Sequence, residues 1–212
     1  MIARPGTIAV VGAAVMAAVV AGAAFSSGGS AHGPLVGPEG VPQSAGRPLA
    51  AAASAGPGEK VDRISCGGTE QIVFHVHALL AIFDHGAPRA VPAGIGIAPP
   101  RQVVQTPAGS YVASGTCFSF LHTHAADGIV HIEAPAQRAF TLGQFFDVWK
   151  QPLGRDRVGP AKGSVAAFVD GRRVPGDPRD ILLSARTQIQ LDVGLPAPAP
   201  RRVRFPRALA AG

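Results

Sequence analysis

The chain has 212 residues, 47% of them hydrophobic and 15% charged, with 27 Gly and 20 Pro. That much Gly and Pro excludes a helical bundle or coiled coil, while the length fits one domain with tails. The net charge of +6 is not a nucleic-acid signal, because residues 196–212 hold Arg201, Arg202, Arg204 and Arg207 with no acid and residues 61–195 are nearly balanced.

The N-terminus MIARPGTIAVVGAAVMAAVVAGAAFSSGGSA has one early Arg, an uninterrupted apolar run from Ile8 to Ala24, and then small and polar residues. This is the export pattern, so residues 1–25 read as a cleaved signal peptide or as an N-terminal anchor attached to the membrane through residues 7–24. Both readings put the rest of the chain outside the cytoplasm, secreted or anchored in the cytoplasmic membrane. Residues 26–60 are Gly, Ala, Pro and Ser without apolar periodicity and are expected to form a flexible linker. Cys66 and Cys117 are the two thiols. An even count in an oxidising compartment predicts a disulfide between them.

The folded part is expected over residues 61–195. Gln71–Phe83 reads as a strand, Asp84-His85-Gly86 as a turn, and Pro88–Ile97 as a second extended run. Phe118–Ala134 reads as a hairpin. Residues 141–150 are the one good helix: Thr141 can cap it, Leu142, Phe145, Phe146 and Trp149 share a face, and Pro152 ends it. Gly163–Val169, the turn Asp170-Gly171, Arg172–Val174 and Thr187–Val193 follow as strands. The order predicts an α+β fold, mainly β: a small mixed sheet of hairpins crossed by one helix, β-grasp-like in its second half. Residues 196–212 are expected to be a Pro- and Arg-rich extended tail.

Histidine is the unusual residue, with six of seven between His75 and His131. In a strand, side chains two apart share a face, so His75-Val76-His77 and His122-Thr123-His124 each aim two imidazoles one way. A two-residue turn at Asp127-Gly128 sets His124 opposite His131 and His122 opposite Glu133. A turn one residue earlier, over Ala126 and Asp127, pairs His122 with His131 and moves His124 opposite Ile129. Opposing Cβ atoms lie ~4.5–5.5 Å apart, close enough for imidazoles to share one ion. The candidate metal ligands are therefore His75, His77, His122, His124, His131 and Glu133. Imidazoles with one carboxylate suit a transition metal, Zn or Cu foremost, and not Ca or Mg. A blue-copper site lacks its axial Met, since Met1 and Met16 both belong to the leader. The spacing also differs from the His-Glu-x-x-His pattern of metalloproteases. His32 and His85 have no partner in register and read as ordinary surface residues.

The strings FHVHALLAIF, VPAGIGI, LHTHAADGIVHIE, FTLGQFFDVWKQPL and GDPRDI together resemble a family of exported or membrane-anchored bacterial proteins of actinobacterial type. The resemblance covers about residues 62–194 and implies a bacterial, extracytoplasmic domain without bringing an established activity. In that family an acidic residue often follows His-Thr-His and a third alternating His can follow the first pair. This chain has Ala125 and Leu79 at those places.

Three functions follow from these residues. The leading one is an extracytoplasmic transition-metal-binding protein acting in storage, delivery or sensing. In the second, a metal-dependent hydrolase, Glu133 is the general base beside a metal-bound water. The third is a structural or interaction domain of the cell envelope in which the histidines form only a polar network. The protein partner is unknown, and no nucleic acid is expected.

Overall fold

A computed structural model describes Met1, residues 35–44 and residues 46–209. The expected signal or anchor lies outside the described residues. Apart from Met1, all described residues belong to one compact unit. No helix among them is long and apolar enough to cross a membrane.

The main sheet is built from β1 (Phe74–Asp84), β2 (Ala87–Arg89), β5 (Leu121–His122), β6 (Ile129–Ala134), β7 (Val165–Val169), β8 (Arg172–Val174) and β9 (Gln188–Val193). A separate hairpin, β3 (Gln102–Thr106) and β4 (Gly109–Ser114), lies between β2 and β5 in sequence. The strand order is β8-β7-β9-β1-β6-β5, with β2 also paired to β1. β9 runs parallel to β1, and the other pairs are antiparallel. Taken with the helix α1 (Leu142–Val148), the sequence β1, β6, α1, β7, β9 gives the order β6-β1-β9-β7 with a parallel central pair. This is the β-grasp-like arrangement expected. Its first strand is β1, which lies outside the second half of the chain where the whole unit was expected.

α1 forms where its capping residues predict. The Thr141 hydroxyl accepts from the Gln144 backbone N–H while the Gln144 side chain accepts from the Thr141 N–H, so two of the orphan amides of the first turn are satisfied. The helix ends at the Trp149 cap, and Lys150 follows at φ +58°, so the chain turns out of the helix before Pro152. Phe145, Phe146 and Trp149 are fully buried against the sheet.

Alternation along the strands divides the sheet into two chemically different faces. Val76, Ala78, Leu80 and Ile82 of β1, Val130, Ile132 and Ala134 of β6, and Ile189, Leu191 and Val193 of β9 face the helix and form the apolar core. The intervening residues point the other way: His75 and His77, His131 and Glu133, Gln188, Gln190 and Asp192. Most of that polar face is buried as well.

Its cover comes from the segment read as a flexible linker and from the tail. Residues 35–44 fold into a small loop closed by the Val36 and Pro42 bridge, and Val41 inserts without exposure beside Leu79 and Ile129. Further along, Leu49 is core, and its N–H donates to the Ala90 carbonyl. The Trp149 indole N–H donates to the Ala51 carbonyl. The linker expectation is corrected from residue 35 on, because a few apolar side chains and paired backbone groups suffice to dock a Gly- and Pro-rich strand on a formed domain. The Pro- and Arg-rich tail is docked as well: Val203, Phe205 and Leu209 pack beside Val41, and Gln188 exchanges two hydrogen bonds with the Val203 backbone. Cys66 and Cys117 form the expected disulfide, closing a sequence separation of 51.

Candidate metal centre

The site occupies the polar face where β1, β6 and β5 lie side by side. β6 is the middle strand. His131 stands directly opposite His77 on one side and His122 on the other, and Glu133 stands opposite His75. Directly opposed residues in antiparallel strands share a face, so one row of three imidazoles and a second row of His75 and Glu133 form by pairing alone.

The register at the return is the second of the two weighed. His122 pairs with His131, and the placement of His124 opposite His131 is corrected. Asp127 and Gly128 do not form a two-residue turn either, since residues 123–128 separate β5 from β6. The reason is tertiary. The Thr123 N–H donates to the Ile95 carbonyl and the Thr123 carbonyl accepts from the Gly94 N–H, while the His124 carbonyl accepts from the Val112 N–H of β4. These partners draw the chain away from β6. Gly128, at φ +86°, sits so close to the Leu80 carbonyl that a Cβ there would meet it at 2.5 Å. His124 still reaches the cluster, its Nε2 meeting that of His122.

Backbone carbonyls fix the tautomers of this pair. His122 Nδ1 donates to the Ser119 carbonyl at 2.9 Å, and His124 Nδ1 donates to the Val112 carbonyl at 2.6 Å. A carbonyl only accepts, so each Nδ1 carries the proton and each neutral ring presents an Nε2 lone pair. The two Nε2 atoms are 3.0 Å apart. Burial, then His131 and His124, holds His122 well below the usual imidazole range; burial and His131 lower His124 as well. Both rings are therefore neutral at pH 7.

His131 is different. Burial opposes its charge, but bonds to Glu133 (3.2 Å) and Glu39 (2.6 Å) outweigh that and raise it to about 9. Glu133 is held well below the ordinary carboxylate range: burial would raise it, and the bonds from His131 and His75 prevail. The same Glu133 Oε1 lies 3.0 Å from His75 Nε2 and 3.7 Å from His122 Nε2. His75 Nε2 is 3.0 Å from His77 Nε2 and 3.4 Å from His131 Nδ1. Burial, then His131 and His75, lowers His77 to about 4.

The structure thus brings together all six candidates from the sequence. Two sets have donor atoms within 4.8 Å of one another, His122, His124, His131 and Glu133, all buried, and His75, His77 and His131, and each could hold a metal ion. His85 lies in an exposed turn bonded to Asp84, away from the cluster.

Three contributors were not legible. Glu39 sits in the segment read as linker, 92 residues from its partner His131. Glu70, ahead of β1, places Oε1 3.2 Å from His124 Nε2. Tyr111 of β4 stacks on His124 with ring centroids 4.8 Å apart and 6° between planes. Burial, then Glu39, Glu70, Glu133 and Asp127, pushes the Tyr111 phenol up, which marks how closely these four carboxylates gather. No pattern around Glu39 or Tyr111 announces them; a lone acid close before a His-x-His strand is the one hint for Glu70.

No family model, no curated protein and no solved structure matches the chain.

Proposed function

We propose that the protein binds a transition metal, Zn or Cu, outside the cytoplasm through His122, His124, His131 and Glu133, in storage, delivery or sensing. One observation carries the reading. His122 and His124 are locked by the Ser119 and Val112 carbonyls with two nitrogen lone pairs facing each other at 3.0 Å. Bare lone pairs at that distance repel, and a shared cation turns the repulsion into two bonds. Nitrogens on one tetrahedral ion at ~2.0–2.1 Å lie about 3.3 Å apart, close to the spacing present.

The donor chemistry supports the metal class. Neutral imidazoles with a carboxylate suit Zn and Cu. Both thiols are in the disulfide, so no thiolate ligand competes. The disulfide and the export-like N-terminus support an extracytoplasmic site, with the protein secreted or anchored through residues 7–24. Binding is favoured over hydrolysis because the four ligand residues are buried and the surface clefts beside Phe140 and Leu182 and beside Ala167 and Pro175 have none of the ligands in their walls.

The test is titration of the purified full chain with Zn²⁺ and with Cu²⁺ at pH 7 and pH 5. Tight binding at pH 7, weakened at pH 5 and reduced in His122→Ala and His124→Ala, is expected, since protonation releases an imidazole-bound ion. Absence of binding at pH 7, or unchanged affinity in both variants, overturns the proposal.

A further inference from the structure

The second histidine pair is not needed by one ion. Donors around a single ion at ~2.0–2.1 Å can be at most about 4.2 Å apart. Among the described residues the donor atoms divide into two sets within 4.8 Å, and neither set holds both His75–His77 and His122–His124. Each pair nevertheless repeats the same device, two Nε2 atoms 3.0 Å apart. Between the pairs stand His131, common to both sets, and Glu133, whose Oε1 is 3.0 Å from His75 Nε2 and 3.7 Å from His122 Nε2. Glu133 Oε2 and His77 Nδ1 are buried without a hydrogen-bond partner.

From this geometry we infer that the centre holds two transition-metal ions, one at His122 and His124 and one at His75 and His77, with His131 and Glu133 between them. The inference rests on the metal-binding reading above and adds a second ion to it. The charge in the cluster fits two ions. Glu133 and Glu39 contact His131, Glu70 contacts His124, and the buried Asp127 accepts from the Glu39 N–H. The buried Glu133 and Glu39 and the partly exposed Glu70 supply negative charge on both sides of His131, against which a second divalent cation can be held. His75 of the second pair is 34% exposed and Glu70 beside His124 is 37% exposed, so each position has a side chain reaching toward solvent.

The experiment is native mass spectrometry with elemental analysis on the full, disulfide-bonded chain equilibrated with zinc sulfate at pH 7. Two Zn per chain are expected in the wild type. The double variants His75→Ala/His77→Ala and His122→Ala/His124→Ala should each hold one. Glu133→Gln should weaken both uptake steps, each by more than tenfold. Circular dichroism establishes that each variant is folded, and the wild-type stoichiometry is decisive without them. One Zn per chain at saturation overturns the two-ion inference and leaves the metal-binding reading intact. Two Zn retained in the His75→Ala/His77→Ala protein overturns the assignment of the second position. No Zn in the wild type defeats both.

Discussion

His122 shows how a residue's chemistry is decided by its neighbours. Its Nδ1 bond to the Ser119 carbonyl selects the tautomer, and its complete burial keeps the ring neutral, so Nε2 is ready as a ligand without losing a proton. His131 is in the opposite state, charged at neutral pH between Glu39 and Glu133. Coordination of His131 must displace a proton, so metal binding at pH 7 should release about one proton per chain. Calorimetry in buffers of differing ionisation enthalpy measures it; zero release would mean His131 is not a ligand. Glu39 holds the far nitrogen of that ring, and Glu39→Gln is expected to weaken metal binding by about 10–100-fold, read by competition with a chromogenic chelator. The buried neutral rings also set the acid limit of the metal-free protein. His77 has a folded pKa of about 4, below its unfolded value near 6.5, so the unfolded state gains its proton first as pH falls. Stability is expected to drop between pH 6.5 and 4, with His122 and His124 acting in the same direction. His131, with its raised pKa, adds the reverse trend, a loss as pH rises from about 6.5 through 9. Thermal melts across both ranges show it.

Among the elements, β6 matters most to the site, because its odd-numbered residues supply His131 and Glu133 while its even-numbered ones anchor the core under α1. Site and core are therefore opposite faces of one strand, and a change on the core face moves the ligands. Phe146→Ala should cost about 3–5 kcal/mol by cavity formation, measured by denaturant unfolding. The N-terminal loop over residues 35–44 is the other key element. It is closed by the Val36 and Pro42 bridge and held on the sheet by Val41 and by the Glu39 bonds to His131 and Asp127. Val41→Asp buries an unpaired charge there. Amide exchange is expected to speed up across residues 35–43 and around Ile129, leaving α1 protected; unchanged exchange would show that the loop does not depend on Val41.

For the whole molecule, the disulfide ties the strand Ile64–Gly67, which leads toward β1, to the segment just before β5. β1 carries the first His-x-His pair, and β5 with the residues just after it carries the second. Closing a loop of that length is worth about 4 kcal/mol in chain entropy. The Cys66→Ser/Cys117→Ser double variant should lose stability of that order, measured by chemical denaturation. Metal affinity should fall with it, since the bridge helps bring the two pairs to either side of β6.

Several features were determined by the sequence itself. Alternation within β1 and β6 put His75 with His77 and His131 with Glu133 on common faces, because the side-chain period of a strand is two wherever the strand lies. The Thr141 cap and the Phe145, Phe146 and Trp149 stripe defined α1 through local hydrogen bonds and helical spacing. Other features came only with the tertiary structure. The pairing of His122 with His131 depends on Ile95 and Val112 capturing the backbone of residues 123 and 124, contacts with no local signal. The hairpin of β3 and β4, which supplies the Val112 carbonyl and Tyr111, was not expected from its polar, half-exposed residues. Glu39 joined the site because a composition too poor to fold alone docks once a formed sheet offers Val41 a socket. Strand period and helix caps act over a few residues, and register, cover and distant carboxylates are set by packing between segments far apart in the chain.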